Sequence, residues 1–550
     1  MQPSPSRYRT WYHPYQPDPK FKTRVAYFSM EFGIDQGLKI FSGGLGFLAG
    51  SHLKSAHDLK QNLIGVGMLW KYGYYDQGRN PDRSMRAEWI EKKYDFLEDT
   101  GLEVNVTIND NPNVKVRAYV LKPEVFGTVP LYLLSTDVPG NDHLSRTITD
   151  RLYDSNDETR ISQSIVLGVG GAKIVQALGG ADVYHLNEGH ALPAFYYLRH
   201  LGVPSSRMVF TTHTPEKGGN EERNGYHLNN RGFFGRTLTQ PELQAELIGD
   251  TLNFTVSALR FVKKANAVSA LHARVAREMW KPYGLDGKIM PITNAQHPGF
   301  WTDAGLRKSL DKENARAFRK RKRELKENLL QVVLDQTGRK LDPDVLTVVW
   351  ARRFAAYKRA DLLLRDLERF RRLMSRPGQP IQIIWAGKPY PMDFGAIQIF
   401  DRLIAASREF PRLAVLTGYE MGLSKILKEG SDVWLNTPRI TREASGTSGM
   451  TAAMNGSLNL TVNDGWIPEF ARHGENAFVL PEADPMQPHS VQDDFDAGNL
   501  YHILESEVIP TYYDEPDRWA RMVFQAMKDV VPAFSSHRMA EDYYRELYGA

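Results

Sequence analysis

The chain is 550 residues long, more than a single hydrophobic core holds, and length alone allows about three or four domain-sized units. Its 69 Lys and Arg against 65 Asp and Glu leave a net charge of +4, too weak to point to nucleic acid or to a membrane surface. With no Cys, disulfides, thiolate nucleophiles and Cys-ligated metal are excluded. The first residues, MQPSPSRYRTWYHPYQP, contain no apolar core of signal-peptide length. No apolar run reaches the ~18 residues of a membrane span, so a cytoplasmic protein is expected.

In chain order, VAYFSMEFG reads as a buried strand, and SGGLGFLAGSHLKSAHDLK as a Gly loop opening a helix. NLIGVGMLW, VKVRAYVL and VPLYLLSTD are β-rich apolar runs. SQSIVLGVGGAKIVQALGG has helical spacing and stops at a Gly pair before the short strand ADVYHLN, and SRMVFTTHT is a further buried strand. RKSLDKENARAFRKRKRELKENLLQ (307–331) predicts one long charged helix. Its interleaved acids point to a solvated face and not to a nucleic-acid contact. A second set of strands follows in LTVVWARRF, IQIIWAGK, LAVLTGYE and SDVWLN. Strands alternating with helices predict parallel, doubly wound sheets with ligands at the carboxyl ends of the strands.

Several short patterns carry chemistry. In SGGLG, Gly43, Gly44, Leu45 and Gly46 open a helix, where glycines let backbone N–H groups approach an anion. A tight turn alone would also explain them. Arg353 and Lys358 follow a strand and offer a bidentate fork and a point charge, as an anionic leaving group needs; two surface cations at a helix start would look the same. HLNEGH (185–190) has its two His five apart and Glu188 out of place for a zinc helix, so no metal site is expected. Ser445, Gly446 and Thr447 precede the helix-like TAAMNGSL and form a second candidate anion site.

These patterns fall into longer blocks. RVAYFSMEFGIDQGLKIFSGGLGFLAGSHLKSAHDL (24–59), DETRISQSIVLGVGGAKIVQALGGADVYHLNEGHA (157–191) and VFTTHTP (209–215) come first. ANAVSALH (265–272), ITNAQHPGFW (292–301), ARRFAAYKRADLL (351–363) and SDVWLNTPRITREASGTSGM (431–450) follow. Together they resemble the short bacterial α-glucan (glycogen/starch) phosphorylases, in the same order, over roughly residues 24 to 480. GGLG with a distant RFxxYKR also resembles the bacterial glycogen synthases. The resemblance implies a GT-B fold: two Rossmann-like lobes facing one another across a cleft, divided just after Trp301, with the last helix packing back on the N-terminal lobe. It also implies a retaining hexosyltransferase. Arg353 and Lys358 would meet the donor phosphate under the 43–46 loop, and His190 and Asn266 would meet the sugar. Glu443 would accept sugar hydroxyls, and Ser445, Gly446 and Thr447 would cradle an anion. Tyr419 would lie near the cofactor pocket, although a buried core Tyr explains it nearly as well.

One residue breaks the pattern. The phosphorylase signature resembles EASGTSGMKAAMNG, and its Lys forms the Schiff base with pyridoxal phosphate. Here 443–456 read EASGTSGMTAAMNG, and the hydroxyl of Thr451 cannot form an imine. The expectation that follows is a cofactor-free glucosyltransferase. Its donor would be UDP-, ADP- or GDP-glucose, with Thr451 leaving room for the diphosphate. No carboxylate pair suits a double displacement, so front-face transfer is expected. The alternatives are a phosphorylase that binds pyridoxal phosphate without a covalent bond, and an inactive glucan-binding scaffold. Tyr390 in AGKPYP is a milder departure from the family pattern. Glu216 and Lys217 also depart from it after THTP, so the acceptor is either a glucan or a small sugar. Assembly as a homodimer stays open.

Overall fold

The computed structural model describes residues 10–549, so the first nine residues of the N-terminal stretch read above lie outside it. Its contacts separate two compact units. One comprises residues 1–75, 89–294 and 536–550, and the other 76–88 and 295–535. The division at Asn294 and Ala295 lies before the expected boundary at Trp301, and the hairpin within 76–88 belongs to the second unit. The C-terminal segment from Ser536 belongs to the first.

The first unit is built on a nine-stranded sheet. Its order across the sheet begins Ile289–Pro291, Lys264–Ala267, Met208–Thr212, Val183–Asn187 and Val25–Phe28. It continues with Leu63–Met68, Leu131–Ser135, Asn111–Leu121 and Leu97–Ile108. The pairs are parallel up to Leu131–Ser135, and the last two strands run antiparallel. The strands read from apolar runs are present, and both faces of the central ones are buried, as a sheet covered by helices requires. The run ending at Gly179 and Gly180 is helical. A π-helical turn at Val166–Gly170 lies between Asp157–Ile165 and Gly171–Ala177, and both terminal glycines have positive φ.

The second unit holds a six-stranded, wholly parallel sheet ordered Leu413–Leu416, Ile381–Ala386, Leu346–Ala351, Val433–Asn436, Leu458–Thr461 and Ala477–Val479. Trp350, Trp385 and Trp434 are fully buried along it. The long charged helix read over 307–331 is instead two helices, Ala304–Asp311 and Ala315–Thr337. Glu313 at φ 49° breaks them apart, and the Asn314 side chain caps the second helix by accepting from Ala317 N. Nor is its basic face wholly solvated: Lys326 is buried and donates to Asp432 at 2.6 Å. The mixed α/β architecture, with one mainly parallel and one wholly parallel large sheet, is that of the GT-B class.

Candidate active site

In the second unit the chemistry gathers beyond the carboxyl end of Leu346–Ala351. Arg352 and Lys358 converge on one carboxylate: Arg352 Nη2 lies 2.9 Å and Lys358 Nζ 2.8 Å from Glu443 Oε2. All three side chains are at most 12% exposed. Burial alone would raise the Glu443 pKa, but the charges of Arg352 and Lys358 overcome it and hold the group at about 2. The loop is locked from behind. Arg359, at φ 48°, donates to Asp493, to Asp496 and to the carbonyls of Thr437 and Pro438, which fixes the backbone next to Lys358.

Glu443 is oriented through its own backbone, whose N–H donates to Asp464 Oδ2 at 2.9 Å. Burial pushes the Asp464 carboxyl up to about 7 against that bond and the one from Gly465 N, and the Glu443 charge adds to the rise. Gly446 takes φ 85° at the N-terminus of the helix Thr447–Met454, a conformation that favours glycine. Around this turn, Arg352 Nε and Nη1, Ser445 Oγ and Ser448 Oγ are buried with no partner among the described residues. Several donors therefore have no acceptor among the described residues.

The structure thus places Lys358, Glu443, Ser445, Gly446 and Thr447 together. It seats Arg352 in the ion pair, whereas Arg353 is exposed and its charge adds to the lowering of the Glu443 pKa. Tyr419 is buried, its hydroxyl donating to the carbonyl of Ala351 at 3.2 Å, which makes it a brace for the strand end. Thr451 is 1% exposed and its Oγ1 donates to Ser448 O at 3.0 Å within its own helix. Arg352, Arg359 and Asp464 were missed in the sequence. Only the RR and KR doublets hinted at the two arginines, since which of two adjacent cations turns inward depends on the strand end.

In the first unit, Ser42 N, Ser42 Oγ, Gly43 N and Tyr153 Oη all donate to the Glu31 carboxylate. One backbone donor expected to meet a ligand phosphate, Gly43 N, is thus taken by an internal anion, together with its neighbour Ser42 N. A Cβ at Gly43 or Gly44 would meet nothing within 4 Å, whereas at Gly46 it would strike Glu31 Oε2 at 2.7 Å. Leu45 is half-buried behind them. His190 follows Glu188, itself at φ 73°, and its Nδ1 is buried without a partner among the described residues. Burial lowers the His190 pKa to about 4, so the ring is neutral at pH 7. The Glu188 carboxyl, which accepts from His213 N at 2.7 Å, is pushed by burial up to about 7. Asn266 is fully buried, with Oδ1 accepting from Thr211 Oγ1 at 2.6 Å, so its amide serves the sheet.

A site of this composition fits part of pyridoxal phosphate. The buried cations and partnerless donors suit its phosphate; Thr451, with no amine, does not suit a Schiff base at that position. Comparison with known proteins agrees with this chemistry. A family profile described as carbohydrate phosphorylase matches residues 304–480. An uncharacterized protein of Methanocaldococcus jannaschii is 46% identical over 95% of this chain and 99% of its own length. The maltodextrin phosphorylase of Thermococcus litoralis is 36% identical over 96% of this chain and 71% of its own. The glycogen phosphorylase of Mycobacterium tuberculosis is 35% identical over 96% and 71%. The chain belongs to the carbohydrate phosphorylase family, whose members are hexosyltransferases.

Proposed function

We propose that the protein is an α-glucan phosphorylase, moving glucosyl units between the end of a glucan and inorganic phosphate. The observation that carries this is the Arg352–Glu443–Lys358 cluster with its partnerless buried donors. Two buried cations face one carboxylate and Arg353 adds positive charge at the surface, so the cluster has a surplus that favours an anion. The relatives named for phosphorolysis support phosphate over the nucleotide-glucose donor ranked first from Thr451 alone. An oxygen of phosphate bonds to the anomeric carbon as the carbon–oxygen bond to the glucan breaks. The proton of the attacking phosphate passes to the leaving oxygen, and glucose 1-phosphate is formed.

In this reading Arg352 and Lys358 hold the phosphate by charge-assisted hydrogen bonds and stabilise charge as the bond breaks. Glu443, kept ionised by the same cations, accepts from sugar hydroxyls. Arg352, Ser445 and Ser448 would hold the cofactor phosphate. Pyridoxal phosphate, when bound, supplies a second phosphate group that exchanges a proton with the substrate phosphate.

The test is release of glucose 1-phosphate from maltodextrin and phosphate. Lys358→Ala should lower it about 10²- to 10³-fold, the usual cost of removing a preorganised charge. The second reading, a nucleotide-glucose donor, is favoured by Thr451, whose short side chain spends its hydroxyl on its own helix. Turnover of UDP-, ADP- or GDP-glucose without phosphorolysis would select it.

A further inference from the structure

Four cations from three distant stretches of the second unit line one cavity. It is open to solvent, has a volume of about 430 Å³ and is bounded by Arg83, Thr337, Arg339, Lys340, Arg408 and Pro411. Arg83 lies in the turn of the hairpin Asp76–Arg79 and Met85–Glu88, which belongs to this unit. Arg339 and Lys340 follow Gly338, the cap of Ala315–Thr337, and Arg408 is in the last turn of Phe394–Glu409. The last two segments lead into the amino ends of Leu346–Ala351 and Leu413–Leu416, strands of a wholly parallel sheet. Lys358 and Glu443 lie beyond the carboxyl ends of that sheet, so the cavity is at the opposite edge.

Two of the cations also have a structural task. Arg339 donates through Nη1 to Phe410 O at 2.5 Å and to Leu413 O at 3.0 Å, and through Nη2 to Ser407 O. The guanidinium caps the end of the Phe394–Glu409 helix, and it meets carbonyls there instead of a carboxylate. Arg408 Nη2 donates to Asp82 O, which ties the hairpin turn to the same helix. The turn is held from within. Arg83, at φ 69°, donates its N–H to Asn80 O at 2.8 Å, and Ser84 N and Oγ donate to the Asp82 carboxylate at 2.9 and 2.6 Å. Those two bonds, ahead of the charge of Arg408, lower the Asp82 pKa. Among the described residues, Arg83 and Lys340 make no side-chain hydrogen bond or ion pair.

Like charges around one void repel one another. Burial lowers the Arg339 pKa and the charge of Arg83 lowers it further, so each guanidinium feels the other. Asp82 offsets at most one of the four charges, and three remain. A single phosphate group, with a charge of about −1.5 to −2, does not balance three cations. Among the described residues, none that lines the cavity is aromatic, so a nucleotide base finds no ring to stack on. The volume is that of a small-molecule site. We propose that this cavity binds a small anion with two or more phosphate groups and no base, an inorganic oligophosphate or a sugar bisphosphate. Arg83 and Lys340 supply the free charges, beside Arg339 and Arg408 already fixed in place. The site stands whether or not the carboxyl edge of the sheet carries out phosphorolysis.

The experiment is calorimetric titration of the protein with inorganic tripolyphosphate in moderate salt, with fructose bisphosphate and orthophosphate as comparisons. One tripolyphosphate per chain is expected, bound at least about tenfold more tightly than orthophosphate. Arg83→Gln and Lys340→Gln should each weaken it about tenfold, because each removes a charge-assisted contact. Both side chains are exposed, so these variants should melt with the parent. Lys358→Ala, which alters the candidate active site, should bind tripolyphosphate as the parent does. So should Lys263→Gln, which removes an exposed cation of the first unit. Whichever of tripolyphosphate and fructose bisphosphate binds more tightly identifies the source of the phosphates. The proposal is overturned by the absence of saturable binding, by orthophosphate binding as tightly, or by loss of binding in Lys358→Ala. Equal weakening in Lys263→Gln, or tighter binding of a single-stranded RNA than of tripolyphosphate, overturns it as well.

Discussion

Glu443 carries the electrostatics of the candidate site, because two buried cations depend on one carboxylate. Glu443→Gln keeps the shape and removes the charge, leaving Arg352 and Lys358 to repel each other. Breaking a buried pair in this way costs on the order of 3 kcal/mol, read as a fall in the denaturant midpoint at unchanged slope. Acid has the same sign. With its pKa held at about 2, Glu443 stabilises the fold fully above the ordinary 4.5, and that contribution is lost as pH falls through 2. Asp464 works in the opposite direction. Its pKa is raised to about 7, so its contribution is full below the ordinary 3.8 and is lost as pH rises through 7. Asp464→Asn retains an acceptor for the Glu443 N–H and cannot ionise. Its melting temperature should change less between pH 6 and pH 8 than that of the parent. An equal slope would show that Asp464 does not titrate there; Glu188, of the same sign, leaves a residual slope in both proteins.

At the scale of elements, the helix start at Gly44 shows two different reasons for glycine. An alanine at Gly46 would bring Cβ to 2.7 Å from Glu31 and 2.8 Å from Phe41, so Gly46→Ala should destabilise by about 1–3 kcal/mol and disturb the Ser42–Glu31 bond. Gly44→Ala meets no atom and should leave thermal unfolding almost unchanged. If it nevertheless raises the KM for phosphate or glucan, the open space before this helix is where a ligand comes close. The hairpin of Asp76–Arg79 and Met85–Glu88 is a second such element. Gln77 donates to Gly387 O at 2.9 Å and accepts from Gly418 N at 3.0 Å, joining the loops that leave two adjacent strands of the six-stranded sheet. Gln77→Ala leaves both groups unmet and should cost about 1–2 kcal/mol in chemical denaturation.

At the scale of the molecule, the chain passes between the units at 75/76, 88/89, 294/295 and 535/536, so neither unit is one continuous segment. The first unit is completed by the last residues: Tyr543 and Tyr548 are buried, and Tyr548 Oη lies 2.6 Å from His185 Nδ1. A fragment ending at Trp301 lacks this segment, and one beginning at Thr302 lacks the hairpin. Each should be insoluble or molten when expressed alone, as seen by dye binding and loss of near-ultraviolet dichroism. Two separately cooperative, soluble fragments would contradict this reading.

What the amino-acid sequence determined by itself was whatever depends on local pattern. Apolar runs bounded by Gly and Pro announced the parallel strands, because strands buried on both faces must be apolar throughout. The signature around Glu443 announced a glycine turn into a helix, and position 451 a side chain without an amine, because both are matters of residue type. The break of the charged helix at Glu313 was not legible, since nothing in its composition forbids a continuous helix. Tertiary structure alone decided that Arg352 and not Arg353 meets Glu443, and that Glu31 takes two donors of the glycine loop. It alone gave Asn266 to the sheet and gathered Arg83, Arg339, Lys340 and Arg408 around one cavity. Each of these turns on which side of a strand end a side chain faces and which distant residue waits there. Such contacts join residues tens to hundreds of positions apart, and no local pattern specifies them.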